Sequence, residues 1–445
     1  MSQAPYPGLR PFTRGEADIF FGREAQTDEL VDRLGHSRFL SVVGPSGCGK
    51  SSLVRAGLLD ALESGFMASA GAGWHVAEMR PGGQPMWQLA DALLTMAGRP
   101  RYEHDSAFLQ AALERGPHSL IEYLQDLSLP KDENLLILVD QFEEIFRFAS
   151  GAGQEEADAF VALLLATSQQ REQPVYVVIT MRSDFIGDCT RFAGLPEAVN
   201  EAQFLTPRMT REQSRQAIEG PAEVFGGVVE PALVNRLLND MGTDPDQLPL
   251  MQHALMRMWT RASEAAVEEP QGKSTRITLT LADYNEVGGL ARALSNHADE
   301  AFTQLPDEQQ RIAEVLFRCL SERGPAQRDT RRPVRLDAVA AVAGVSPAQV
   351  TAVVEVFRRP DRSFITPSAE VPLRSDTVLD ISHESLIRQW QRLNQWVEQE
   401  ALSADNYRRL EQTARLWHTG QAALWGTPDL ESALAWREQE HPTAP

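Results

Sequence analysis

Short apolar runs alternate with helix-type patterns along the first part of the chain. The runs contain many β-branched and other apolar residues, which is typical of strands buried on both faces, and they lie at residues 39–43, 74–79, 135–139 and 175–180. Helical patterns lie between them, one beginning near Ser51 and one over residues 86–96. The alternation predicts an α/β domain over residues 1–208, with a mainly parallel sheet and helices on both of its faces.

From residue 210 the pattern becomes helical. Apolar positions three and four residues apart predict four helices, at residues 211–218, 231–241, 248–262 and 291–302. A polar stretch at 268–274 predicts a loop between the last two of them. We therefore expect a small helical domain over residues 209–304.

The next segment has the pattern of a helix-turn-helix followed by a hairpin. After a predicted helix at 308–322, Gly344 ends a second helix, Ser346 is a good cap for a third, and Pro347 suits its first position. Two extended stretches, at residues 364–366 and 378–381, predict the hairpin. Residues 305–392 are thus expected to form a winged-helix domain.

A helical C-terminal tail is predicted over residues 393–445. An apolar stripe leads into it, formed by Leu386, Trp390, Leu393 and Val397. Tryptophans are concentrated between residues 390 and 436, so this part of the chain needs a surface to pack against. Packing on the winged-helix domain and docking on a separate partner are both open.

Composition and charge narrow the class of protein. The 445 residues are 42% hydrophobic and 23% charged, which suits several packed domains rather than disorder. No apolar run is long enough to span a membrane, no export signal is visible, and the cysteines form no disulfide or metal-binding pattern, so we expect a cytoplasmic protein. The net charge of −20 makes binding to nucleic acid or anionic membranes unfavourable.

The clearest chemical motif lies between the first predicted strand and its helix. The segment from Gly44 to Ser51 reads G-P-S-G-C-G-K-S, which matches the phosphate-binding loop pattern G-x-x-x-x-G-K-[ST]. In such loops backbone N–H groups surround the phosphates, the lysine reaches the β- and γ-phosphate oxygens, and the hydroxyl holds Mg²⁺. We expect ATP or ADP with Mg²⁺ to bind through Gly44, Pro45, Ser46, Gly47, Cys48, Gly49, Lys50, Ser51 and Ser52.

An acidic turn follows the apolar run at residues 135–139. Asp140 is placed to act with Ser51 in the Mg²⁺ shell, on a strand that we expect to neighbour the loop strand, and Glu143 or Glu144 is placed to polarise a water molecule. Which of the two glutamates acts as the base stays open. A solvated acidic turn after a buried strand is the alternative.

Arg182 follows the last predicted strand of the sheet. Ligands of parallel α/β sheets bind at the carboxyl ends of the strands, so an arginine there is placed to sense a γ-phosphate, and we count it with Lys50 and the acidic residues as catalytic. A surface ion pair with Asp184 is the alternative.

Further motifs occur in the order found in a known family. They are P-G-L-R-P-F at 7–12, F-G-R-E at 21–24, the phosphate-binding loop, R-P-G at 80–82, D-Q-F-E-E at 140–144, M-R-S-D at 181–184, L-P-L at 248–250 and I-S-H-E-S-L at 381–386. Together they resemble the novel STAND class of signal-transducing NTPases, bacterial relatives of the NACHT and NB-ARC switch ATPases. The resemblance covers nearly the whole chain and implies nucleotide-binding, helical and winged-helix domains.

The resemblance also implies roles for individual residues. Gly22 and Arg23 would lie against the adenine, Pro249 would close over the base, and His383 would contact the β-phosphate of ADP and hold a closed state. Considered without the family, Pro249 is also compatible with a helix-start proline and His383 with a structural residue at a strand end. Family members usually carry an effector domain and a repeat sensor, often a WD-repeat propeller, so we expect these on a separate partner or outside this sequence.

The leading hypothesis is a STAND-type switch that binds ADP when closed, exchanges it for ATP, opens and forms a homo-oligomer. Slow ATP hydrolysis would reset it, in bacterial defence or signal transduction. The alternative is a DNA-binding ATPase, a replication initiator or transcription regulator that uses the winged helix. Acidic and basic residues nearly balance over residues 307–400, whereas DNA-binding domains are usually clearly positive, so nucleic acid is the less favoured partner.

Overall fold

The computed structural model describes residues 4–71, 73–98, 103–127, 133–151, 153–171, 173–242, 247–268, 276–324 and 328–440. Contacts divide the chain into two compact units, Met1–Leu290 and Ala291–Pro445. The predicted division into four domains is finer than this division into two units, and it stays a prediction. The polar loop predicted at 268–274 lies, beyond its first residue, outside the described residues.

A five-stranded parallel sheet forms the centre of the first unit, as the alternation of apolar runs predicts. Its strands are β1 (Phe39–Gly44), β2 (Trp74–Met79), β3 (Asn134–Val139), β4 (Val175–Arg182) and β5 (Gln203–Leu205). They lie in the order β2-β3-β4-β1-β5, and every neighbouring pair is parallel. The carboxyl ends of all five strands therefore meet at one edge.

Helices cover both faces of the sheet, which explains why the strands are apolar at successive positions. Along β1, Phe39 and Val43 face one hydrophobic cluster, and Leu40 and Val42 face another. The helices before and between the strands are Glu24–His36, Lys50–Ser52, Asp60–Glu63, Pro85–Met96, Glu103–Leu113, Ser119–Leu127, Glu144–Ala149, Gln154–Gln169 and Leu195–Glu201. Arg14–Ile19 and Ser183–Arg191 are 3₁₀ segments, and Leu53–Leu59 is a π-helical segment.

The strand order corrects one expectation. β4 lies between β1 and β3, so the strand that ends at Asp140 is not the neighbour of the loop strand. Apolar patterns identify strands but not their order, because every buried parallel strand has the same pattern. The pattern also misses β5, which has three residues and leaves Leu205 63% exposed.

The rest of the first unit is mainly helical. The described residues after the sheet form the helices Arg211–Val224, Pro231–Asp240, Gln247–Glu268 and Leu281–Val287. Two short parallel strands, β6 (Val228–Val229) and β7 (Thr278–Leu279), pair between them. The helices at 211–218, 231–241 and 248–262 are thus found at their predicted places, with ends that differ by a few residues.

The second unit combines helices with two small antiparallel sheets. Its helices are Gly289–Thr303, whose first two residues belong to the first unit, Asp307–Cys319, Leu336–Ala343, Pro347–Phe357, Ser385–Gln389, Gln391–His418 and Asp429–Glu440. The sheets are β8 (Ser321–Gly324) with β9 (Arg328–Arg331), and β10 (Val334–Arg335) and β11 (Ile365–Thr366) on either side of β12 (Val378–Ile381).

Local sequence explains the turn between the two helices of the second unit that precede β11. Gly344 has φ of +65° and ends the first helix, a left-handed conformation that glycine adopts without strain. Ser346 and Gln349 form a capping box at the start of the second helix, with Pro347 in its first turn. The helix predicted at 308–322 ends earlier, at Cys319, because the chain there enters the β8–β9 hairpin.

The long helix Gln391–His418 is buried only at its beginning. Leu393, Trp396 and Val397 are its buried residues, and the Trp396 ring packs against the rings of Trp390 and Phe302. Large apolar side chains beyond them are exposed, namely Leu402, Tyr407, Leu416, Trp417, Leu424, Leu430 and Leu434.

No single helix in the described ranges has both the length and the apolar composition to cross a membrane. One pair, Leu336–Ala343 with Pro347–Phe357, meets the criteria together and is bent by 112°.

Candidate functional site

The loop after β1 has the backbone of a phosphate-binding loop. Gly47 and Gly49 have φ of +77° and +91°, in the left-handed region where other residues are strained. Gly49 is also the cap of the helix that begins at Lys50. A Cβ added at Gly44 would lie 2.7 Å from the Cys48 sulfur, so glycine is required where the loop folds back on itself.

The side chains of Lys50, Ser51 and Ser52 each have different partners. The Lys50 ammonium donates to the carbonyl oxygens of Gly44, at 3.0 Å, and Pro45, at 2.9 Å. The Ser51 hydroxyl donates to Oδ1 of Asp140 at 2.6 Å. Ser52 faces elsewhere and accepts the backbone N–H of Phe12 at 3.2 Å.

Asp140 is almost completely buried, with 1% of its surface exposed. Its Oδ1 accepts from Ser51 and from the Thr180 hydroxyl at 2.7 Å, and its Oδ2 accepts from Arg55 at 3.1 Å with the Arg80 guanidinium at 3.6 Å. Burial alone would raise the pKa of this carboxyl, but Arg55, Arg80 and the two hydroxyls together hold the pKa well below its usual range. Asp140 is therefore ionised at neutral pH.

These residues fit a nucleotide with Mg²⁺. Mg²⁺ prefers hard oxygen ligands, and a serine hydroxyl in contact with an ionised aspartate supplies two of them. The left-handed glycines curve the loop backbone at the start of a helix, where N–H groups can surround an anion. The resemblance implies that the nucleotide binds at this same loop.

Asp140 follows β3 and the loop follows β1, with β4 between these strands. Thr180 of β4 explains how Asp140 still reaches the loop. It lies on β4 itself, donates to Asp140, and accepts the N–H of Gln141 at 3.0 Å. Its carbonyl accepts the N–H of Phe142 at 2.8 Å. Gln141 has φ of +57°, unusual for a residue other than glycine, so Thr180 holds a strained turn in place over the end of its own strand.

The two glutamates of the acidic turn face different strands. Glu143 Oε2 accepts the backbone N–H of Arg182 at 3.3 Å, and Arg182 is paired in register with Gly44 of the loop strand. Glu144 Oε2 instead accepts the N–H of Gly82 at 2.9 Å, in the turn after β2. Glu143 is thus associated with the strand next to the phosphate-binding loop.

Arg182 ends β4 and its side chain is mostly buried. The guanidinium donates to Asp184 at 2.7 Å and lies over the ring of Phe185, 5.9 Å from its centre. The ion pair of the alternative interpretation is therefore present. Contact with a γ-phosphate stays a prediction.

The F-G-R-E segment packs directly behind the loop. Gly22 has φ of +81°, and a Cβ there would lie 2.4 Å from the carbonyl oxygen of Gln213. Arg23 is 4% exposed, and its guanidinium donates to the carbonyls of Cys48 at 3.1 Å and Pro207 at 2.8 Å. Arg23 thus holds the backbone of the phosphate-binding loop by a hydrogen bond. Its contact with adenine stays a prediction.

The N-terminal segment joins this loop to the helices that follow the sheet. Tyr6 donates to the carbonyl of Ile218 at 2.6 Å, and its ring packs edge-on against Trp259. Gly8 lies so close to Met256 that an added Cβ would be 2.6 Å from its sulfur. Because the Phe12 N–H donates to Ser52, the N-terminal segment connects the phosphate-binding loop to these helices within the first unit.

Pro249 and His383 lie away from this group of residues in the sequence. Pro249 is the third residue of the helix Gln247–Glu268, a position that suits proline without any ligand. His383 belongs to the second unit and follows β12, and its Nδ1 accepts the backbone N–H of Ser385 at 3.1 Å. The proton of the neutral ring is therefore on Nε2. The nucleotide contacts predicted for both residues stay predictions.

Three residues of the site are missing from the sequence prediction. Thr180, Arg55 and Arg80 all contact Asp140. Arg80 is part of the R-P-G motif, but the motif alone gives it no role. Arg55 lies one helical turn after Ser51, and this spacing was the available signal, because such residues face the same side of a helix.

Comparisons with known proteins agree with the motif order. A family model described as novel STAND NTPase 1 matches residues 5–423. No curated protein matches the chain.

Solved structures match it at low similarity. Cdc6p of Pyrobaculum aerophilum is 13% identical with a TM-score of 0.38, over 85% of this chain and 94% of that one. The ADP form of Aeropyrum pernix ORC2 is 11% identical with a TM-score of 0.44, over 85% and 93%. Drosophila ORC bound to DNA is 14% identical with a TM-score of 0.39, over 85% and 90%. No functional conclusion follows from similarities this low.

Proposed function

The chain belongs to the novel STAND NTPase 1 family, and from this premise we propose that it is a nucleotide-dependent switch. In this proposal it binds ADP in a closed state, exchanges ADP for ATP, opens and assembles with further copies of itself. Slow ATP hydrolysis returns it to the closed state. The nucleotide then biases an equilibrium between two states, and hydrolysis acts as a timer.

The observation that carries the proposal is the hydrogen bond of 2.6 Å between Ser51 and the buried, ionised Asp140. Two residues far apart in sequence meet at the start of the loop helix with the chemistry that a Mg²⁺–nucleotide complex requires. Mg²⁺ bound with the nucleotide would supply positive charge to the phosphate oxygens. The backbone N–H groups of residues 44–52 would hold the phosphates, and Lys50 would turn from Gly44 and Pro45 towards them.

For hydrolysis we propose Glu143 as the group that orients and deprotonates water. Its bond to the Arg182 backbone, beside the loop strand, supports this choice over Glu144, which bonds to Gly82 after β2. The Arg182 guanidinium would leave Asp184 to contact the γ-phosphate. These roles match a P-loop NTPase.

The switch itself rests on the family resemblance. Gly22, Arg23 and Pro249 are proposed to enclose the adenine, and His383 to donate from Nε2 to the β-phosphate of ADP. Leu336–Ala343, Pro347–Phe357 and the sheet of β10, β11 and β12 have the element order of a winged helix, which supports a winged-helix domain. We propose that sensor and effector functions belong to partner domains, that the protein acts in the cytoplasm, and that its pathway is bacterial defence or signalling.

ADP retention tests this proposal. Purified wild type and a His383→Ala variant are loaded with ADP, washed through a desalting column and assayed for bound nucleotide over time. We expect release from His383→Ala to be at least about tenfold faster, because one charge-assisted hydrogen bond to phosphate is lost. His418→Ala, at an exposed position on the helix Gln391–His418, is the matched control and should behave as wild type.

Lys50→Ala completes the test. It should weaken ADP binding at least about tenfold, because the lysine charge is lost from the phosphate site. Unchanged affinity in Lys50→Ala would overturn the nucleotide site. Equal ADP release from His383→Ala and wild type would overturn the closed-state role of His383 and leave nucleotide binding intact.

A further inference from the structure

Both oxygens of the Asp140 carboxylate are engaged by protein groups. Ser51 and Thr180 donate to Oδ1, and Arg55 and Arg80 face Oδ2. A cation that binds Oδ2 directly therefore comes close to the Arg55 guanidinium, which donates to this oxygen at 3.1 Å, and to the Arg80 guanidinium at 3.6 Å. The predicted Mg²⁺ ligand is therefore already paired with positive charge.

Arg55 is the closer of the two cations and is held from both sides. Its guanidinium donates to Asp140 at 3.1 Å and to Glu78 of β2 at 2.6 Å. Its side chain is 16% exposed. Burial would lower the pKa of Arg55, but Asp140 and Glu78 raise it. The arginine is fixed and charged, one helical turn after the hydroxyl of Ser51.

The four charged side chains that are paired at Asp140 balance one another. Asp140 and Glu78 supply two negative charges, and Arg55 and Arg80 supply two positive charges. A divalent cation that arrives beside Ser51 meets the repulsion of a guanidinium on the same carboxylate, in a buried place where screening by water is weak. Arg55 therefore opposes the metal while it stabilises the carboxylate.

We propose that Arg55 is a resident counter-cation of Asp140, which holds the carboxylate in its orientation and lowers the affinity of the site for divalent cations. The inference rests on the proposed nucleotide function and extends it. Mg²⁺ affinity should be set by how readily Arg55 leaves Oδ2. Arg55 is then a positioning residue for Asp140, not a ligand of the nucleotide.

Manganese binding to the ADP-loaded protein tests the proposal. Mn²⁺ serves as the probe because free Mn²⁺ is measured directly by electron paramagnetic resonance. We expect Arg55→Gln to bind Mn²⁺ at least about tenfold more tightly than wild type, since the repelling charge is lost from a site of low effective dielectric constant. Arg55→Lys keeps the charge and should stay close to wild type.

Two further measurements separate the counter-cation role of Arg55 from a general effect of charge and from direct binding of phosphate. Arg115→Gln removes an equal charge from an exposed ion pair with Glu122 and should leave Mn²⁺ affinity unchanged. ADP affinity measured in EDTA should be equal in wild type and Arg55→Gln. A loss of ADP affinity there would show that Arg55 binds phosphate, and would overturn the proposal.

Stability without metal gives a second readout. Arg55→Gln leaves Asp140 with less compensating charge, so its Tm in EDTA should fall by roughly 5–10 °C, and saturating Mn²⁺ with ADP should restore it. If the variant does not fold in EDTA, folding recovered by Mn²⁺ with ADP supports the proposal, and failure to recover contradicts it.

The two proposals fail in different ways. Unchanged or weaker Mn²⁺ binding in Arg55→Gln overturns the counter-cation role while ADP binding by wild type stands. If wild type binds no ADP, the proposed function itself is wrong, and the role of Arg55 falls with it.

Discussion

Thr180 is the residue on which the geometry of the acidic turn depends. It is 1% exposed and makes three hydrogen bonds to the turn, through its hydroxyl to Asp140 and Gln141 and through its carbonyl to Phe142. The two hydroxyl bonds disappear in Thr180→Val, a change that nearly preserves the shape of the side chain. The carboxylate of Asp140 then loses its orientation towards Ser51.

We expect Thr180→Val to be destabilised by about 1–3 kcal/mol, because it leaves buried polar groups without partners. Mn²⁺ affinity of the ADP-loaded protein should also fall, by at least about tenfold, because the metal ligand is no longer held in place. Thr180→Ser keeps the hydroxyl and should restore Mn²⁺ affinity. If Thr180→Val loses stability but keeps the Mn²⁺ affinity of Thr180→Ser, the threonine is structural and does not position the ligand.

At the scale of residues, the sequence reveals the side chains that belong to motifs, but it does not reveal the side chains that hold them in place. Lys50, Ser51 and Asp140 are recognisable because spacing and strand-end position are local features. Thr180 and Arg55 act through side-chain contacts across the sheet edge, and the order β3-β4-β1 that brings them together is not encoded in any local pattern.

At the scale of elements, the F-G-R-E segment packs closely against the helix Arg211–Val224 through the ring of Phe21. A Cβ added at Gly220, within this helix, would lie 2.7 Å from ring carbons of Phe21. Phe21 lies two residues before Arg23, which donates to the Cys48 carbonyl of the phosphate-binding loop. This contact therefore links helix position to loop position inside the first unit.

Gly220→Ala should destabilise the protein by about 1–3 kcal/mol, because the ring of Phe21 must move in a packed interior. Gly35→Ala is the matched control, since Gly35 also lies in a helix, Glu24–His36, and a Cβ there meets no atom within 4 Å. It should stabilise by up to about 1 kcal/mol, as alanine favours helix. Chemical denaturation measures both, and equal changes in the two variants would argue against close packing at Gly220.

Elements with strong patterns were predicted well, and short ones were not. The four long strands were identified because they are apolar at successive positions. β5 and the β8–β9 hairpin were missed because they are short and partly polar, and their pairing depends on distant neighbours. The capping of Pro347–Phe357 was predictable because its signal is local.

At the scale of the whole molecule, charge bears on the choice between a switch and a DNA-binding ATPase. Arg358 and Arg359 are the basic residues that end the helix Pro347–Phe357. Arg358 is 3% exposed, pairs with Glu355 and donates to two backbone carbonyls, and Arg359 pairs with Asp361. Both arginines are thus paired within the protein, and the net charge is −20. These two observations weaken the case for a DNA-reading helix and favour the switch.

The nucleotide content and mass of the purified wild-type protein test the central claim most directly. Heat release and chromatography identify the nucleotide, and light scattering gives the mass of the same sample. The switch predicts a monomer that carries close to one ADP per chain and assembles only after exchange for ATP. A protein that is purified without nucleotide and turns over ATP rapidly as a monomer would contradict it.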